Sequence, residues 1–265
     1  MRRNLIGLIA GGAAMAATLL TVFAPGAAAQ STGGRQAASV LKTPAAPAPK
    51  TADGKPDLSG VWRPQPNFTS DISKGLAPGE TIEPLPWAAK LAGDHMSKDD
   101  PEANCLPSGV PRVAPYPWKI IQTPAVIVFL FEGNIHSYRQ IFMDRTEHPK
   151  DANPTWYGDS IGKWDGDTLV VDTTGFNDRT WFDFAGRPHT DQLHTIERYR
   201  RLDMDTLEDR VTVIDPGAYA KPFTLLARMP RMREDLMEYI CTENNKDVPH
   251  IVGKDSVDRT ANPVR

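Results

Sequence analysis

Several signatures of common chemistry are missing from this chain. No Gly-x-Ser-x-Gly elbow stands at a strand-to-helix turn: the match Gly158-Asp159-Ser160-Ile161-Gly162 runs directly into the strand-like Ile161–Trp164, which argues against a serine hydrolase of that type. No Gly-x-Gly-x-x-Gly or Walker-type loop occurs, which argues against dinucleotides and nucleoside triphosphates. Neither His-x-His nor His-Glu-x-x-His is present. Positive charge is short as well: 30 Lys and Arg stand against 33 Asp and Glu, a formal net charge of −3. That balance argues against a nucleic-acid partner, which needs clustered Lys and Arg. Cysteine is limited to Cys105 and Cys241, and the apolar stretch that opens the chain ends at Phe23.

That opening stretch reads as an address. Arg2 and Arg3 precede the apolar run Leu5 to Phe23, and Ala27-Ala28-Ala29 offers small residues for cleavage. The pattern predicts an export signal over 1–29, cut near Ala29, and a periplasmic or secreted mature protein without a membrane span. The Sec route and the twin-arginine route are both compatible with Arg2-Arg3-Asn4-Leu5-Ile6, and a retained anchor is the alternative. Cleavage removes two cations and no acid, so the formal charge becomes −5. Residues 30–55 are Pro/Ala-rich with little that can pack and read as a disordered linker. Residues 56–265 suffice for one domain with a sizeable core. In an oxidising compartment Cys105 and Cys241 are expected to form one long-range disulfide, with a free catalytic thiol as the alternative.

The domain reads as mainly β. Asp57 to Trp62 is a short opening strand, 64–117 is Pro-rich and irregular, and Pro86 to Met96 is the one helix candidate. Strand-like runs follow at Lys119–Gln122, Val126–Phe131, Ile135–Met143, Ile161–Trp164, Thr168–Thr173, His194–Leu202, Leu207–Ile214 and Phe223–Met229. Glu132-Gly133-Asn134 and Asp165-Gly166 are hairpin turns, the second expected to place both central residues at positive φ. Short spacing favours hairpins over parallel crossovers. The expected fold is a single antiparallel β-barrel of about eight strands around a central cavity, with a β-sandwich as runner-up.

The window Trp156 to Arg200 concentrates tryptophan, carboxylate, amide and imidazole between strands. Along Ile135 to Met143, alternation sets His136 and Tyr138 with Gln140 and Phe142 on one face, read as a polar patch of the cavity. Along the later strand, His194 shares a face with Ile196, and Glu197 lies on the other. His194 is therefore expected to pair across strands with Asp191 or Asp172, which would fix its tautomer for acid/base work. Pro188 forces extended backbone, putting His189 at the mouth of that strand. His189 and His194 are about 16 Å apart on an extended chain, too far to chelate one ion. No cofactor is expected, and the alternative metal trio is His136, His194 and a neighbouring carboxylate. Trp156 and Trp181 are expected to stack on a flat substrate, with Asn177 and Asp159 bonding its hydroxyls; turn chemistry is the competing role for Asn177.

Three segments carry a resemblance. Asp53-Gly54-Lys55-Pro56-Asp57-Leu58-Ser59-Gly60-Val61-Trp62, the block Trp164 to Asp178 and the block His189 to Arg201 resemble a family of secreted bacterial proteins without an assigned activity. The likeness spans about 51 to 245 and implies one exported domain. Gly60-Val61-Trp62 ahead of an antiparallel barrel is also similar to lipocalins and other calycins. The residues together predict an exported, cofactor-independent enzyme of lyase, isomerase or hydrolase type acting on a small aromatic or hydroxylated molecule. Catalysis is assigned to His194, His136, Tyr138, Asp191, Asp172 and His189. The alternatives are a lipocalin-like binding protein without catalysis and a cell-envelope interaction module.

Overall fold

A computed structural model describes residues 45–65, 70–112, 116–133 and 137–243. The expected export signal lies outside the described residues, as does His136. Among the described residues nine strands close into one barrel in sequence order: β1 (Gly60–Trp62), β2 (Trp118–Gln122), β3 (Val126–Phe131), β4 (Tyr138–Phe142), β5 (Asp159–Asp165), β6 (Thr168–Thr174), β7 (His194–Arg201), β8 (Thr206–Ile214) and β9 (Phe223–Met232). The strand-like runs of the sequence each supply one strand, so the barrel has nine strands where about eight were expected. Eight neighbouring pairs are antiparallel and β4–β5 is parallel. A closed ring needs an even number of direction reversals, so nine strands cannot all be antiparallel. β1 contributes three residues yet pairs with both β2 and β9, which removes the exposed edge that an open sheet would keep.

Local chemistry explains the connections. Asp165 pairs with Thr168, so the β5–β6 loop consists of Gly166 and Asp167. Only Gly166 has positive φ (60°), the pattern of a turn with glycine at its first central position. The expectation of two positive-φ residues there is corrected. One helix, α1 (Pro86–Asp94), starts with proline at its first turn, where the missing N–H costs nothing. Among the described residues no helix is long and apolar enough to cross a membrane.

Alternation sends Trp62, Trp118, Phe129, Phe131, Leu169, Tyr199, Leu207 and Phe223 into a common buried cluster. It also sends in polar groups. Arg139 is 3 % exposed and bonds Glu197, Ser160 and Thr173, while the Tyr199 hydroxyl donates to Glu197 at 2.7 Å. Beside them a cavity of about 20 Å³, room for one water, is walled by Trp118, Glu197, Tyr199 and Asp209. The inward face of β4 is thus Arg139 and Ile141, whereas Tyr138 is 60 % exposed on the outside. That corrects the cavity face expected for this strand: the Glu197 carboxylate on β7 offers Arg139 a partner that no local pattern announces.

Residues 46–55, read as linker, are tied to the domain where Ala46 O accepts from Met204 N and Pro49 O accepts from Asp57 N. Cys105 and Cys241 form a disulfide with Cα atoms 5.6 Å apart, which removes the free-thiol alternative.

Candidate functional site

The β6–β7 and β8–β9 connections leave the barrel at the same end, and α1 lies against them. Trp87, Leu91 and His95 from α1 and its cap, with Asp178 to Trp181, Pro188 to Gln192 and Gly217, enclose a cleft of about 520 Å³. That volume suits a small organic ligand. The Trp87 indole donates to Gly217 O at 2.9 Å, tying helix to loop. Trp181 stacks on His95 with ring centroids 4.0 Å apart and planes 16° apart, and His95 Nδ1 donates to Gly186 O at 2.8 Å. This stack was not legible beforehand, because His95 lies far from Trp181 in sequence and nothing beside it marks a site.

His189 sits in the wall and is 3 % exposed. Its Nδ1 reaches Thr190 O at 3.1 Å and its Nε2 meets Thr180 Oγ1 at 2.5 Å. Phe182 stacks on the ring at 5.3 Å. Burial holds the imidazole below the ordinary histidine pKa, partly offset by the Thr190 carbonyl and the charges of Asp215 and Asp178. The ring is therefore neutral at neutral pH. Asp215 fixes the neighbouring backbone by accepting from Thr190 N at 2.7 Å and Thr190 Oγ1 at 2.6 Å.

Of the expected substrate-contacting residues Trp181 lines this cleft, and Asp191, expected as a catalytic carboxylate, stands exposed at its rim. Trp156 does not line it; it packs against the barrel core, which buries a large apolar ring more favourably than a loop face. Asn177 Oδ1 accepts from Arg179 N at 3.1 Å, the turn role of an Asx residue. Asp178, next to it, lines the cleft instead.

The second group lies on the outer barrel face. His194 Nε2 meets Asp172 Oδ1 at 2.9 Å, so the cross-strand partner is Asp172 and not Asp191. His148 Nε2 reaches the same oxygen at 3.0 Å, and its Nδ1 reaches Asp159 Oδ1 at 2.9 Å. Asp159 also pairs with Arg145 at 3.0 Å, so it serves this chain of charges and is not a cleft residue. Burial opposes protonation of His148, but hydrogen bonds from it to Asp159 and Asp172, and their charges, raise its pKa above the ordinary value. Sequence reasoning missed His148, whose partners are set by the fold. Among the described residues no group of three or more His, Cys, Asp or Glu is arranged to hold a metal ion.

No known family, curated protein or solved structure matches this chain.

Proposed function

We propose that this chain is an exported enzyme that takes a small aromatic or hydroxylated molecule into the cleft beneath α1. It acts there by cofactor-independent acid/base chemistry of lyase, isomerase or hydrolase type. The observation that carries this reading is a buried imidazole, His189, in the wall of a cleft lined by the Trp181–His95 stack. An aromatic lining favours a flat ring, and the carboxylates of Asp178 and Asp191 favour ring substituents that donate hydrogen bonds. In this reading His189 replaces His194 as the base nearest the ligand. His194 with Asp172 remains a second imidazole–carboxylate pair.

The alternative is a binding protein that uses the same cleft without chemistry. It is favoured by the full commitment of both His189 ring nitrogens within the protein.

A panel of catechols, phenols and methyl glycosides, followed by tryptophan quenching and by product analysis, tests both readings. Trp181→Ala should weaken binding at least tenfold. An enzyme with His189→Gln loses turnover and retains most of its affinity; a binding protein loses affinity or nothing and turns over no compound. Binding that persists unchanged in Trp181→Ala would remove the cleft from consideration.

A further inference from the structure

Thr180 lines the cleft beside His189, and its hydroxyl has a fixed sense. The Thr190 carbonyl can only accept, so His189 Nδ1 carries the ring proton and donates to it at 3.1 Å. A neutral ring protonated at Nδ1 has a bare lone pair at Nε2. Thr180 Oγ1, 2.5 Å away, is therefore the donor in the second bond. Its own oxygen lone pairs stay available to accept from the side of the cleft that Thr180 lines.

Three further contacts hold this arrangement. Asp215 pins the Thr190 backbone and hydroxyl, so the carbonyl that sets the tautomer cannot drift. Phe182 stacked at 5.3 Å and Phe176 edge-on at 6.4 Å fix the ring plane. Gly109, at φ +72°, lets backbone pass close to the hydroxyl: a Cβ there would lie 2.7 Å from Thr180 Oγ1. Any side chain at 109 would push the threonine away from the imidazole.

We propose that Thr180 is a proton shuttle between a ligand in the cleft and His189. This deepens the function proposed above and rests on it. In the forward step the ligand's O–H, or a C–H made acidic by a neighbouring carbonyl, passes its proton to Thr180 Oγ. The threonine's original proton moves to His189 Nε2. The electron pair of the broken bond stays on the ligand, and the imidazolium keeps its Nδ1–H on Thr190 O. The reverse sequence returns a proton to the same or another ligand atom, so no oxidant, reductant or co-reactant is consumed. The anionic ligand and the imidazolium are formed together in a cleft wall shielded from water, where their attraction is strongest. Thr180 touches the ligand in this scheme; His189 acts through it.

The test is long-range ¹H–¹⁵N spectroscopy of the full chain labelled in histidine, with 4-nitrocatechol as the ring probe. Without probe, His189 should show a protonated Nδ1 and a bare, hydrogen-bonded Nε2. Thr180→Ser should preserve that signature, and Thr180→Val should shift the Nε2 resonance downfield. With saturating probe, the wild-type Nε2 resonance should move toward its protonated position while the Thr180→Val resonance does not, with equal quenching of Trp181 in both. A ring protonated at Nε2, or an Nε2 signal indifferent to Thr180→Val, would overturn the shuttle. So would an identical probe response in both proteins. Failure of 4-nitrocatechol to quench Trp181 counts against the cleft reading for ring ligands, and the tautomer and the valine shift then decide the shuttle by themselves.

Discussion

Arg139 and Glu197 face each other inside the barrel, 3 % and 2 % exposed, and the guanidinium grips both carboxylate oxygens with its two terminal nitrogens. Two strands that are not neighbours, β4 and β7, are joined by this pair across the interior. Breaking a buried pair from one side leaves an uncompensated charge, at a cost of about 3–5 kcal/mol. Glu197→Gln and Arg139→Met should each lower stability by that order. Arg139→Met with Glu197→Leu should cost clearly less than the two single losses together. Chemical denaturation of the four proteins completes the cycle, and strictly additive losses would mean that the two groups are not coupled.

Asp209, 6 % exposed, gives a pH prediction. Burial first, and then the charge of Glu197, push its carboxyl well above the usual range; the charge of Arg139 works the other way. The native state then keeps a proton that the unfolded chain releases above about pH 4. Stability contributed at low pH is lost as pH rises. Asp209→Asn, neutral at every pH, should melt increasingly above wild type between pH 4 and pH 8. A constant difference in Tm across that range would show that Asp209 does not change charge as described.

His148 predicts a pH dependence of its own. Its raised pKa means that the native protein holds the imidazolium beyond the pH at which the unfolded chain loses it. The stabilisation is complete below about pH 6.5 and is lost as pH rises through the folded value. His148→Gln should cost roughly 0.5–1 kcal/mol at pH 5.5 and little at pH 9. Hydrogen exchange across 144–158 should quicken in the variant at the lower pH only.

The disulfide joins positions 136 apart in sequence. A closed loop of that length stabilises by about 5 kcal/mol on the chain-entropy scale. Cys105→Ala with Cys241→Ala should lower Tm by more than 10 °C, and reductant should reproduce the loss in wild type. A matched Tm in the oxidised and double-alanine proteins would refute this.

The strands were legible because alternation and turn residues are local signals. For His194 the sequence left Asp191 and Asp172 open as partners; the antiparallel register and side-chain parity put Asp172 with it on one outer face. Glu197 turned inward, on the face opposite His194, as parity required. What parity cannot supply is which face is inside when both carry polar groups. Tyr138 and Arg139 are adjacent, and the more strongly charged of the two is the buried one. Its partners Glu197, Ser160 and Thr173 come from three other strands. The cleft was half legible. Trp181, His189 and Asp191 belong to the window that the sequence marked, while Trp87 and His95 arrive on a helix that carried no sign of chemistry.

An odd number of staves obliges the chain to make one journey back along the outside of the cask. Residues 143–158 make that journey between β4 and β5, and His148 is their fastening, hooked to outward carboxylates on the two staves where the return ends. The protonation of one imidazole is thereby attached to the one place where the ring departs from simple up-and-down winding. A change of acidity around neutrality acts on that seam.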